Sequence, residues 1–121
     1  MAEAIDAEGE SIDSLIQWLR SRRASDPDAP LTHLLAGRTL DPSRLVDVAC
    51  IDLIQRRRMG HSVTTEHYLQ EFPSLRREST RLDLIDAELC VINELGGQCE
   101  ASDFVERFPD LASPIRQESS I

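Results

Sequence analysis

The chain has 121 residues, 40% hydrophobic and 29% charged, with 22 acidic side chains against 13 basic ones and a formal charge of -9. That length suits one domain, and all thirteen bases are arginine. The absence of lysine excludes a P-loop, a kinase-type phosphate lysine and a Schiff-base nucleophile, and the negative balance disfavours binding to phosphate backbones.

Residues 1–10 are small and acidic and are expected to form a disordered tail. Ser11 then precedes Ile12, Leu15, Ile16 and Leu19, the i, i+3, i+4, i+7 face of an amphipathic helix, with Ser11 as N-cap and Trp18 at the apolar border. Turn chemistry from Ser25 to Pro30 stops it near Ala24, and a short helical turn over Leu31–Ala36 ends at Gly37. Residues 11–40 thus read as an N-terminal helix and linker.

Asp41-Pro42 opens the next helix, an acidic N-cap followed by proline at the first helical position. Val46, Ala49, Cys50 and Leu53 form one face, and Leu45, Val48, Ile51 and Ile54 widen it, which marks a central helix. Gly60 stops it behind Arg56, Arg57 and Arg58. Thr64 or Thr65 caps a shorter helix through Phe72, and Pro73 bars its continuation.

The same order returns 36 residues later. Leu53, Gly60, Phe72, Pro73 and Leu75 recur as Leu89, Gly96, Phe108, Pro109 and Leu111, and Tyr68 recurs as Phe104. Aligned without a gap, 45–75 and 81–111 share six identities, against about two from residue frequencies alone. The sequence therefore predicts an all-α domain of five or six helices, with residues 41–121 holding two long-helix/short-helix units at 44–75 and 81–112. Tyr68 with Phe72, and Phe104 with Phe108, should dock on their own long helices as i, i+4 wedges.

Few residues invite a chemical role. Asp52 and Glu88 hold equivalent positions, but Asp52 has Arg56 at i+4 and Glu88 is placed to cap or pair with a neighbouring helix, so salt bridges are favoured over a proton-sharing dyad. His61 and His67, with Glu66 and Cys99 as helpers, lack the helical i, i+4 spacing of a zinc pair. Cys50, Cys90 and Cys99 form no CxxC, and no serine sits in a glycine elbow. No catalytic, cofactor or metal residue is expected. The arginine clusters at 20–23, 56–58 and 76–81 read as solvated helix faces and ends, and Trp18 either closes the domain core or is the candidate partner-binding residue. With no apolar N-terminal segment or long apolar run, the chain reads as cytoplasmic.

The run Leu53-Ile54-Gln55-Arg56-Arg57-Arg58-Met59-Gly60 with Tyr68-Leu69-Gln70-Glu71-Phe72-Pro73-Ser74-Leu75 forms one half of a pattern. Leu84-Ile85-Asp86-Ala87-Glu88, Leu95-Gly96 and Phe104-Val105-Glu106-Arg107-Phe108-Pro109-Asp110-Leu111 form the other. Together, over residues 44–112, they resemble the helical region N-terminal to the catalytic domain of planctomycete serine/threonine protein kinases. The sequence has no Gly-rich loop, His-Arg-Asp or Asp-Phe-Gly, so kinase activity does not carry over and no catalytic residue transfers. The resemblance implies a non-catalytic interaction or regulatory module tied to kinase signalling, as a kinase N-terminal piece or a stand-alone relative, with a protein partner. The alternative is an acidic helix-turn-helix-like transcriptional regulator, whose short helices carry mostly carboxylates and suit DNA poorly.

Overall fold

The structure is a computed structural model that describes residues 11–36 and 38–119. The expected acidic tail at 1–10 and the stop at Gly37 lie outside the described residues. The fold is all-α, and no strand occurs among the described residues. Its helices are α1 (Ile12–Ser25), α2 (Leu31–Leu34), α3 (Pro42–Arg58), α4 (Thr65–Glu71), α5 (Glu78–Glu94), α6 (Ala101–Arg107) and α7 (Ala112–Ser119), with short 3-10 turns at Pro73–Leu75 and Pro109–Leu111.

Among the described residues there are seven α-helices, where the sequence suggested five or six. The unexpected one is α7, which accepts Pro114 because a proline in the first turn removes no intrahelical hydrogen bond. The second long helix also begins earlier than the boundary at 81. Its first turn is tied down by the Thr80 hydroxyl, which donates to Leu75 O at 2.6 Å.

Local chemistry explains the ends. Ser11 Oγ accepts from Ser14 N at 3.2 Å, and Pro42 occupies the first turn of α3. Gly60 and Gly96 have φ of 96° and 90°, the left-handed region that a side chain resists. Each sits in a Schellman stop: Gly60 N donates to Arg57 O and His61 N to Arg56 O, while Gly96 N donates to Asn93 O and Gly97 N to Ile92 O.

The bounds of α5, α6 and the second 3-10 turn lie 36 residues after those of α3, α4 and the first. Arg58, at the end of α3, grips Glu94, at the end of α5, with bonds of 2.6 and 2.7 Å. Asp47 and Asp83, near the starts of the same helices, are close enough to repel. Contact between positions 36 apart at both ends requires that α3 and α5 run parallel, side by side. Helix α1 also packs against α3.

One apolar core joins all of this, from Leu15 and Leu19 of α1 through Leu53, Tyr68, Leu84 and Phe104 to Leu111 and Ile115. Each fully buried leucine contributes about 1.5–3 kcal/mol relative to exposure. Phe72 is only half-buried, whereas Phe108 is buried. Helix α7 packs beside α6 and the 3-10 turn that follows Phe108. Phe72 instead borders an open cavity of about 350 Å³ with Leu40 and Leu45.

Candidate functional site

Two carboxylates occupy the interior. Asp52 of α3 has no solvent exposure and Glu88 of α5 has 1%. Burying a charge is unfavourable unless opposite charge and hydrogen bonds compensate, so the partners of each carboxylate decide what it can do.

Asp52 is bound by Arg23, one of two arginines in the last turn of α1. Arg23 Nε donates to Oδ1 at 2.9 Å and Nη2 donates to Oδ2 at 2.8 Å, a bidentate fork. The Tyr68 hydroxyl donates to Oδ2 at 2.8 Å, and burial followed by the Asp52 charge raises the phenol far above its ordinary range. Arg23 Nη1 closes the loop after α1 by donating to Pro27 O at 3.2 Å and to Ala29 O.

The structure corrects two expectations here. Asp52 pairs with Arg23 and not with Arg56, whose Nε instead donates to His61 Nδ1 at 3.2 Å. Arg23 and Arg56 are also buried, at 0% and 8%, and not part of solvated faces. The signal for Arg23 was present: Leu15, Leu19 and Arg23 are spaced by four and share the buried stripe of α1.

Glu88 is bound differently. Its Oε1 accepts from Thr65 N at 2.7 Å and from Thr65 Oγ1 at 2.9 Å, so α5 caps the first turn of α4. Thr64, the N-cap residue itself, makes no side-chain cap bond. Arg107 Nη1 donates to Glu88 Oε2 at 2.9 Å, and its Nε donates to Glu66 Oε2 at 2.7 Å. The hydrogen bond from Arg107 holds Glu66 below the usual carboxylate range, and the two acids raise Arg107. The expectation that Glu88 caps or pairs with a neighbouring helix describes this geometry.

The remaining candidates are scattered. The Arg56 guanidinium lies between His61 and His67, with Nη1 3.4 Å from His67 Nε2, and occupies the space a shared cation would need. Glu66 is committed to Arg107, and Cys99 N donates to Asn93 Oδ1 at 3.1 Å. Among the described residues no group of three metal-ligating side chains assembles. The carboxylates of the short helices are largely engaged: Glu71 accepts from Thr32 N at 3.1 Å, and Asp103 accepts from Glu100 N at 2.9 Å. Cys50 is half-buried, and burial together with Asp83, Asp47 and Asp86 pushes its thiol up to about 12, the opposite of an activated nucleophile.

Trp18 is half-buried against the core, and the Arg38 guanidinium lies 4.0 Å above its ring. The motif residues Tyr68, Leu75, Phe104, Phe108 and Leu111 are buried, while Phe72 is half-buried and Pro73, Pro109, Gly60 and Gly96 lie at the surface. Two surface features have no counterpart among the sequence expectations. Met59 and Leu95, each just ahead of a stop glycine, are exposed at 41% and 52%. A groove of about 490 Å³ also runs between α1 and α3, lined by Arg20, Ile51, Ile54, Gln55 and Arg58. Its signal was the i, i+3, i+4, i+7 spacing of the four α3 residues, which the broad apolar circumference of that helix concealed.

Comparison with family models, characterised proteins and solved structures returns no match for this chain. No helix among the described residues is long and apolar enough to cross a membrane.

Proposed function

We propose that the chain is a non-catalytic protein-interaction and regulatory module tied to serine/threonine kinase signalling. The observation that carries this reading is the commitment of both buried carboxylates to structural partners. Asp52 is saturated by Arg23 and Tyr68, and Glu88 by Thr65 and Arg107. A catalytic acid or base needs a shifted pKa and access to a reacting atom, and a group enclosed by arginine forks has no such access. The open α1/α3 groove is a surface that a partner can reach. The link to kinases rests on the pattern over residues 44–112 alone.

The test is a size-resolved pull-down of the chain from its native lysate, with mass spectrometry of the co-eluting proteins. Kinases or their substrates recovered at fixed stoichiometry are the expected result. A clean monomer with nothing bound, or specific phosphotransfer by the purified chain, overturns the reading.

A further inference from the structure

The α1/α3 groove has a composition unlike the rest of this acidic surface. Ile51 and Ile54, both half-buried, give it an apolar wall. Arg20 and Arg58 stand on its rim, on a chain whose formal charge is -9. Arg58 is held by Glu94, whereas Arg20 is exposed and has no ionic partner among the described residues.

From this we infer that the groove binds a short acidic peptide segment of a partner protein, through an aliphatic side chain flanked by a carboxylate. The aliphatic group packs between Ile51 and Ile54, and the carboxylate pairs with Arg20. A basic segment meets Arg20 as a like charge, and a purely apolar one leaves Arg20 unanswered. The volume of about 490 Å³ accommodates one or two side chains with their backbone. The assignment rests on the reading of the chain as an interaction module and names the chemistry of its partner.

The test uses the intact chain and a display library of random twelve-residue peptides. Selection should enrich peptides in which Ile, Leu or Val adjoins Asp or Glu. A synthetic representative, followed by fluorescence anisotropy, should lose about tenfold in affinity to the Arg20→Glu variant. A similar loss is expected for Ile54→Ser. Arg20 is exposed, so its variant keeps the far-UV circular dichroism and thermal midpoint of the parent. Enrichment of basic peptides, no enrichment, or equal binding to parent and Arg20→Glu chains overturns the assignment. If Arg20→Glu still retains kinases from lysate with undiminished yield, the groove assignment fails and the module reading stands. If acidic peptides bind in the groove but no signalling protein is ever recovered, the assignment stands and the kinase link fails.

Discussion

Replacing Arg23 by methionine removes the guanidinium that binds both oxygens of Asp52 at 2.9 and 2.8 Å. Methionine preserves most of the side chain's length and apolar volume, so the effect reports charge and hydrogen bonding and not a cavity. Asp52 would keep only the Tyr68 hydroxyl at 2.8 Å, and Pro27 O and Ala29 O would lose their donor. Both charged side chains have no exposure, so water does not compensate. Breaking such a buried pair costs about 3–5 kcal/mol. Against a total of about 5–15 kcal/mol, that is a large fraction. The thermal midpoint should fall by roughly 10–20 °C. The triple variant Arg23→Met, Asp52→Leu, Tyr68→Phe removes every member of the polar cluster, and it should recover at least about 2 kcal/mol of the loss. Urea unfolding followed by far-UV circular dichroism measures both. A loss below about 1 kcal/mol for Arg23→Met, or no recovery in the triple variant, refutes the argument that Asp52 is a buried charge dependent on α1.

Gly60→Ala and Gly96→Ala should each cost about 1–2 kcal/mol in urea unfolding, because both residues have positive φ. No atom lies within 4 Å of either new Cβ, so the cost is purely conformational and the two should be similar; a difference above about 1 kcal/mol refutes this. With its thiol near 12, Cys50 has about one part in ten thousand thiolate at pH 8, so mass spectrometry of iodoacetamide-treated native protein should find Cys90 labelled far ahead of it. Comparable labelling of Cys50 would show that the site is open. Burial, then Asp47 and Asp86, raise Asp83 above its ordinary 3.8, so its ionised form opposes folding at neutral pH. That opposition disappears as pH falls through the raised value towards 3.8. Asp83→Asn should therefore stabilise by ~0.5 kcal/mol at pH 7 and low salt, and by nothing below 3.8. A stabilisation that persists at pH 3 removes the electrostatic explanation.

Much of the helix plan is legible in the sequence because its signals are local. Ser11, Asp41-Pro42 and the glycines at 60 and 96 act through neighbouring backbone, and the structure places helix ends beside each of them. The polar interior was harder to read, because its pairings span the chain. Arg23 and Asp52 are 29 residues apart, Thr65 and Glu88 are 23, and no periodicity links one to the other. An arginine within a basic cluster resembles a solvated end, and only the spacing from Leu15 and Leu19 shows that it faces inward. The Asp52–Arg56 expectation failed for the same reason. Local i, i+4 geometry offered a partner, but a tertiary one with a better fork took its place.

The two carboxylates at equivalent positions perform different structural work, and their lengths help to explain it. Glu88 has one more methylene than Asp52 and reaches from α5 to the start of α4, where it replaces the cap that Thr64 does not provide. Asp52 is met by donors that come to it: Arg23 from α1 and Tyr68 from α4. Together with Arg107, these contacts form two charge-assisted clusters, one tying α1, α3 and α4 and the other α4, α5 and α6, with α4 common to both. The segment between α1 and α3 matters most for binding, because those helices form the walls of the groove. Arg23 lies one turn from Arg20, and Asp52 adjoins Ile51, so the buried fork fixes the separation of the rim from the apolar wall. A groove held in this way is formed before its ligand arrives, which lowers the ordering cost of binding. Loosening the fork should therefore weaken peptide binding even though Arg23 does not line the groove.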